Sequence, residues 1–178
     1  MSTTLAIAPA GTWQLDPVHS SVGFEVPYLG GTFKGQFRDV DARLAVGDTI
    51  TLDGLAQVAS VDVKDENLAA HLQSPDFFDA ERYPEIRFVA SDIALDGETA
   101  RVNGELTIKG VTKPASVTGT FAPPLTDAFG RERIGLKLAT TLDRTEFGVS
   151  WQNPLPSGEP SLANDVTLVA DLYFVKGA

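Results

Sequence analysis

The stretch SVGFEVPYLGGTFKGQF, residues 21–37, alternates apolar and polar residues on both sides of a pair of glycines. Successive side chains of a β-strand point to opposite faces of the sheet, so Val22, Phe24 and Val26 share one face and the residues between them share the other. Paired glycines between two alternating runs are typical of a hairpin turn. The stretch therefore predicts two antiparallel strands with one face toward a core and one toward water.

The same period of two recurs along nearly the whole chain, after a change of phase that suits a bulge or a bend just beyond the quoted stretch. Strands that follow one another without helical crossovers favour an antiparallel sheet. About eight strands can close into a barrel that holds one small ligand, and a β-sandwich is the alternative. The predicted strands cover residues 11–15, 20–28, 33–46, 50–63, 85–95, 99–108, 113–121, 133–142 and 165–175.

Helix is predicted at one place, residues 65–73, where apolar residues recur at helical spacing. Residues 148–164 are rich in Gly, Pro, Ser and Asn, which predicts a long surface loop. Because the chain shows no internal repeat and has the length of one domain, we interpret residues 1–178 as a single domain, with residues 1–10 as a flexible N-terminal tail.

Charge and composition argue against several classes of protein. The formal net charge of −10 repels nucleic acid phosphates and anionic membrane surfaces, so we expect no nucleic acid partner. The chain has no cysteine, and therefore neither a thiolate metal site nor a cysteine nucleophile. It has no apolar run of the ~18 residues that a spanning helix needs, and its N-terminus lacks the basic start of a signal peptide. We expect a cytoplasmic protein without stable membrane insertion.

Four ordered motifs resemble the YceI-like family, a group of lipid-binding proteins with a lipocalin-like barrel. They are WQLDPVHSSVGFEV (13–26), HLQSPDFFDAERYPEIRF (71–88), GELTIKGVTKP (104–114) and LDRTEFGVSW (142–151). The resemblance implies an all-β fold, an eight-stranded antiparallel lipocalin-like β-barrel with a short helical insertion, and often a homodimer. It also implies an apolar pocket for a polyisoprenoid or similar amphiphile, such as an isoprenoid quinone or a prenyl phosphate.

The sequence departs from the family pattern at two polar positions. Leu68 and Ala69 stand where family members commonly carry an Arg-Asp pair, and Tyr28 stands in place of a commonly seen histidine. Both changes remove polar groups, so the resemblance predicts the binding of an apolar tail and leaves the head-group site open.

Large aromatic side chains are the predicted lining of the pocket, because aromatics in or beside loops often line the mouth of a binding site. The candidate ligand-binding residues are Phe24, Phe33, Phe37, His71, Phe77, Phe78, Phe88, Phe147 and Trp151. A glycine beside large apolar residues recurs on strand faces at Gly35, Gly104 and Gly119, where it permits a bend or leaves room for a ligand. The resemblance favours room for a ligand.

Asp16, His19 and Ser20 are interpreted as a structural motif whose local hydrogen bonds fix the turn into the second strand. Two histidines without a cysteine or a carboxylate cluster make a poor transition-metal site, so we predict no metal and no cofactor other than a bound isoprenoid-like lipid. The candidate partners of a phosphate head group are Lys34, Arg38, Lys109, Lys113, Arg131 and Arg133.

The leading hypothesis is non-catalytic binding, transport or sequestration of an amphiphilic lipid in the barrel interior, without catalytic residues. One alternative is an enzyme acting on a lipid or a small amide, with His71 or His19 as general base beside Asp76 or Asp16. A second alternative is a protein-interaction module whose barrel is filled by its own side chains.

Overall fold

The computed structural model describes residues 10–177, so the tail predicted at residues 1–10 lies outside the described residues except for Ala10. Within this range the chain forms eleven strands and one α-helix, with short 3₁₀ turns at Val58–Ser60 and Arg144–Phe147. The elements are β1 (Gly11–Leu15), β2 (Ser21–Tyr28), β3 (Gly31–Phe37), β4 (Val40–Val46), β5 (Ile50–Gln57), β6 (Val61–Asp62), α1 (Glu66–Gln73), β7 (Glu85–Asp96), β8 (Thr99–Ile108), β9 (Val111–Thr126), β10 (Glu132–Asp143) and β11 (Asp165–Lys176).

The eleven segments make a closed barrel of eight antiparallel strands, because three of the barrel strands are each built from two segments. β3 pairs with β2 and β6, and β4, which follows β3, pairs with β1 and β5. Thus β1 with β2, β3 with β4, and β5 with β6 form the first three barrel strands. Each barrel strand pairs with the next along the chain, and β11 closes the barrel by pairing with both β1 and β2. The predicted eight-stranded barrel is confirmed, and the sheet is not split into a sandwich.

The broken strands explain where the predicted strand bounds differ from the observed ones. The strand predicted at 33–46 bends where its alternation changes phase, and the strand predicted at 50–63 is interrupted by the 3₁₀ turn at 58–60. The amide of Arg38 donates to the carbonyl oxygen of Ser60 at 3.1 Å, so the two interruptions lie side by side. Like bulges, such interruptions let a sheet change direction without losing its pairing on either side.

Helix α1 begins where a side chain satisfies its first amides. The Asp65 carboxylate accepts hydrogen bonds from the backbone amides of Asn67 and Leu68, at 2.8 and 3.1 Å, in the usual manner of an N-cap. Leu72 anchors the helix, because its side chain is buried against the barrel core. No helix within residues 10–177 is long and apolar enough to cross a membrane.

Residues 148–164, predicted as a surface loop, are irregular but partly buried. Val149, Ser161 and Leu162 are each at most 7% exposed. The amide side chain of Gln152 accepts from the amide of Leu162 at 3.0 Å and donates to its carbonyl oxygen at 2.8 Å. The prediction is therefore wrong for the buried part of the segment, because a composition typical of loops does not indicate which residues fold back onto the protein.

One end of the barrel is closed by tightly packed side chains. Trp13, Leu44, Phe121, Leu136 and Phe174 are each at most 2% exposed. None of these five side chains lines a cavity, so this layer closes the barrel at the end formed by β1. Any ligand cavity must therefore lie between this closed end and α1.

Candidate functional site: a two-lobed cavity

The inward-facing residues of β11 trace the barrel interior from one end to the other. Phe174 belongs to the closed end, and Leu172 and Ala170 line an inner lobe of the cavity. Leu168 lines both this inner lobe and a second, outer lobe, and Val166 lines only the outer lobe. Because alternate residues of a strand face the same side, the two lobes are stacked along the barrel above its closed end.

The inner lobe has a volume of about 150 Å³. Small side chains leave this space open, among them those of Ala42, Ala115 and Ala170. Among the described residues, Asp41 and Thr140 are the polar members of the lining, and the others are apolar or glycine. An apolar cavity of ~150 Å³ stays dry and admits a molecule the size of benzene. The inner lobe is therefore suited to hydrocarbon.

The outer lobe has a volume of about 220 Å³ and lies beneath α1 and the segment that follows β10. Three residues line both lobes and form a waist between them: Phe78, Ile108 and Leu168. The outer lobe is lined by Tyr28 and by the basic side chains of His71 and Arg144, whereas no basic side chain of the described residues lines the inner lobe. The cavity thus changes from mainly apolar surroundings to surroundings that include two basic side chains along the barrel axis.

The structure places all nine candidate ligand-binding residues in the cavity lining. Phe37 and Phe88 line the inner lobe, Phe78 lines both lobes, and the other six line the outer lobe. Phe78 packs edge-on against Phe24 and Phe37, with ring centroids 6.3 and 5.8 Å apart, as aromatic pairs commonly do. These rings narrow the cavity at its waist.

His71 lies among aromatic rings in the outer lobe. Its ring centroid is 5.0 Å from that of Phe77 and 4.9 Å from that of Trp151, and both contacts are edge-to-face. Its Nε2 lies 2.9 Å from Oδ2 of Asp76. The pair that the enzyme hypothesis requires is therefore formed, and it lies beside the cavity, because His71 itself lines the outer lobe.

Lys109 connects the two segments that cover the outer lobe. Its Nζ donates to the carbonyl oxygen of Pro75 at 2.6 Å and to that of Gly148 at 3.2 Å. Lys109 has a positive φ of 52°, which orients the end of the β8–β9 hairpin for these contacts. Lys109, which the sequence analysis considered as a phosphate partner, therefore holds the two covering segments next to each other. It does not line either lobe.

Arg144 is the functional candidate that the sequence reasoning missed. Its side chain lines the outer lobe, and the residue is only 5% exposed. Nε donates to the carbonyl oxygen of Ala163 at 3.0 Å and Nη1 to that of Val149 at 2.9 Å, whereas Nη2 is buried and has no hydrogen-bond partner among the described residues. Burying a donor without a partner costs about 1–3 kcal/mol, and more for a charged group.

The electrostatic surroundings of Arg144 are unusual for a buried charge. Burial lowers the pKa of Arg144, and the charge of the adjacent Asp143 opposes this effect. The Asp143 carboxylate accepts bonds from the hydroxyl and the amide of Thr145, which lower the pKa of Asp143. Asp143 is therefore engaged elsewhere, although buried arginines usually pair with a carboxylate. The motif LDRTEFGVSW contains Arg144, but nothing in its spacing distinguishes a buried arginine from an exposed one.

Asp16, His19 and Ser20 do not line the cavity. His19 Nδ1 lies 2.7 Å from Asp16 Oδ2, and the hydroxyl of Ser20 accepts from the amide of Tyr173 at 2.9 Å. The side chain of Arg133 donates to Asp16 at 2.8 Å, and it holds the pKa of that carboxyl well below its usual range. These bonds fasten the turn between β1 and β2 to the rest of the barrel.

Arg133 also explains a second perturbed carboxylate. It donates to Asp127 at 2.7 Å and, with the amides of Phe129 and Arg131, lowers the pKa of Asp127. The two carboxylates in turn raise the pKa of Arg133.

Among the six cations considered as phosphate partners, none lines either lobe. Arg38, for example, pairs with Asp62 on the surface.

The three strand glycines that the resemblance favoured as room for a ligand do not line the cavity. A Cβ atom on Gly35 would meet the ring of Phe24, and one on Gly104 would meet Ala90 and the backbone of Val89. A Cβ atom on Gly119 would meet the backbone of Lys137. This part of the prediction is wrong, because these glycines permit close contacts within the barrel wall.

The described residues were also compared with the requirements of a metal site. No group of three or more His, Cys, Asp or Glu residues within residues 10–177 is placed to hold a metal ion.

Comparison with known proteins gives consistent results. A UPF0312 protein of Pseudomonas putida strain W619 is 36% identical over 140 residues, which cover 74% of this chain and 71% of the relative. The crystal structure of Burkholderia cenocepacia BcnA superposes with a TM-score of 0.77 at 24% identity, covering 89% of this chain and 98% of that one. A polyisoprenoid binding domain from Saccharophagus degradans, implicated in plant cell wall breakdown, has the same fold with a TM-score of 0.69 at 10% identity, covering 93% and 98%. The model of the YceI-like domain matches residues 13–174, and the chain belongs to the YceI-like family.

Proposed function

We propose that the protein binds an amphiphilic lipid without transforming it, as a carrier or a store. The apolar tail occupies the two stacked lobes, and the polar end lies in the outer lobe. The observation that carries this proposal is the succession of a closed end, a hydrocarbon-lined lobe and a partly polar lobe along one barrel axis. An amphiphile has the same succession of surfaces.

The volumes of the lobes indicate the length of the tail. If ~150 Å³ admits the six carbons of benzene, the two lobes together hold a tail of roughly fourteen carbons. An isoprenoid quinone or a prenyl phosphate carries such a tail. The polyisoprenoid binding domain of Saccharophagus degradans, which has a similar fold, supports this class of ligand. Lobes of this size weigh against an interaction module whose barrel is filled by side chains.

A series of alkyl ligands with tails of increasing length tests the proposal by titration calorimetry. Each added methylene should tighten binding about fourfold, because burying one contributes ~0.8 kcal/mol. The gain should stop near fourteen carbons, where the lobes are full. Affinity that does not depend on tail length would contradict tail burial in the lobes. Native mass spectrometry of the protein as purified would identify a retained lipid and distinguish monomer from homodimer.

An enzyme acting on a lipid ester or amide is the second candidate, and the contact between His71 and Asp76 favours it. A general base of this kind would accept a proton from the attacking water during turnover. The discriminating experiment incubates long-chain esters and amides with the wild-type protein and with Asp76→Asn. Turnover that depends on Asp76 would establish the enzyme, whereas intact ligand recovered from a stoichiometric complex would favour the carrier.

A further inference from the structure

Arg144 is the one lysine or arginine within residues 10–177 that lines the cavity. Two of its nitrogens are fixed by the backbone carbonyls of Ala163 and Val149. The guanidinium is therefore held in one orientation, and Nη2, which is buried, is its nitrogen without a hydrogen-bond partner among the described residues. An oxygen acceptor in the outer lobe would reach Nη2 once the atoms that cover this nitrogen move aside, and the guanidinium itself would lose little further freedom on binding.

We propose that Nη2 of Arg144 binds an anionic oxygen on the polar end of the ligand, a carboxylate or a phosphate, inside the outer lobe. This inference rests on the proposed function, because it names the head-group chemistry that the same cavity accepts. It differs from the expectation drawn from the sequence, which sought the head-group partner among six other cations.

The position of Arg144 along the barrel agrees with this role. Its amide donates to the carbonyl oxygen of Asn164 at 2.9 Å, just beyond the ends of β10 and β11. Val166 is the first inward-facing residue of β11 after Asn164, and it lines only the outer lobe. A head group on Nη2 therefore lies at the polar end of the cavity, and its tail extends past the waist toward the inner lobe.

The charge balance favours an anion over a neutral oxygen. No described carboxylate lies within salt-bridge distance of Arg144, and the neighbouring Asp143 is bonded to Thr145. The buried positive charge thus lacks a direct counter-ion among residues 10–177, and an anionic ligand would supply one. The net charge of −10 repels anions at long range, so selectivity for an anion requires a local group of this kind.

The test compares ligands that share one tail and differ in the head group: dodecyl phosphate, dodecanoate and dodecanol. We expect the wild-type protein to bind at least one of the two anions roughly tenfold or more tightly than dodecanol, as charge-assisted hydrogen bonds allow. Arg144→Met should reduce this preference to about one while leaving dodecanol binding nearly unchanged. Arg38→Met, which removes an exposed cation away from the cavity, should leave the preference intact.

Salt provides a readout that does not depend on folding of the variants. At about 1 M NaCl the screening length falls to about 3 Å, so preference due to surface charges disappears and preference due to a buried pair persists. The comparison of the two anions tells a phosphate site from a carboxylate site. Equal binding of all three ligands, or a preference lost in salt, would overturn the role of Arg144 and leave the carrier function standing. Failure of every ligand to bind would overturn both.

Discussion

Filling the inner lobe should shorten the tail that the barrel accepts. Ala170 faces this lobe from β11, and Ala170→Leu would place about three more carbon atoms in a space that holds roughly six. A ligand with a fourteen-carbon tail then loses burial of about three methylenes, or about 2.4 kcal/mol at ~0.8 kcal/mol each. Its dissociation constant should rise roughly fiftyfold. An eight-carbon ligand fits within the outer lobe and should bind as before, as measured by titration calorimetry for both ligands.

The matched control is Ala139→Leu, because Ala139 is exposed and pairs across the sheet with Val169, the residue next to Ala170. This variant makes the same chemical change on the outer surface and should leave both ligands unaffected. Equal weakening of the long and the short ligand by Ala170→Leu would mean that the tail does not enter the inner lobe. If the long ligand bound Ala170→Leu as tightly as wild type, the stacked lobes would not determine the length of tail that the protein accepts.

Three further predictions concern stability. Asp65→Ala removes the N-cap of α1 and should lower the free energy of unfolding in urea by about 1 kcal/mol; an unchanged midpoint would show that the cap is dispensable. The two aspartates bonded to Arg133 have lowered pKa values, so their contribution to stability is present above about pH 4 and is lost as the pH falls below it. Arg133→Met should therefore lower the melting temperature at neutral pH and reduce its fall in acid, and melting curves parallel to wild type at every pH would contradict this. Gly119→Ala should cost about 2 kcal/mol or more, because the new Cβ atom would collide with the backbone of Lys137. Gly54→Ala, whose Cβ atom would meet only ordinary contacts, is its control, and equal melting temperatures for the two variants would contradict the collision.

The nine aromatic and histidine positions show how much of the site is readable from the sequence. Alternation identifies which residues face inward, and an inward-facing aromatic in a small barrel must touch either the core or a cavity. Phe24, Phe33 and Phe88, which lie on strands, could therefore be identified without coordinates. The glycine positions are the counterexample, since a missing side chain creates space only if neighbouring atoms leave it empty. The ring of Phe24 fills the space above Gly35.

By itself, the sequence determined the antiparallel strands, their inward faces, the place of helix α1 and the family. Each of these depends on patterns among residues close together in the chain, such as a period of two or an aspartate before a helix. The tertiary structure decided the two-lobed shape of the cavity, the burial of part of segment 148–164 and the isolation of Arg144. These depend on which distant segments meet. The neighbours of Arg144 come from β10, β11 and the segment between them. Because these elements meet only when the barrel closes, the sequence does not show whether Arg144 pairs with a carboxylate.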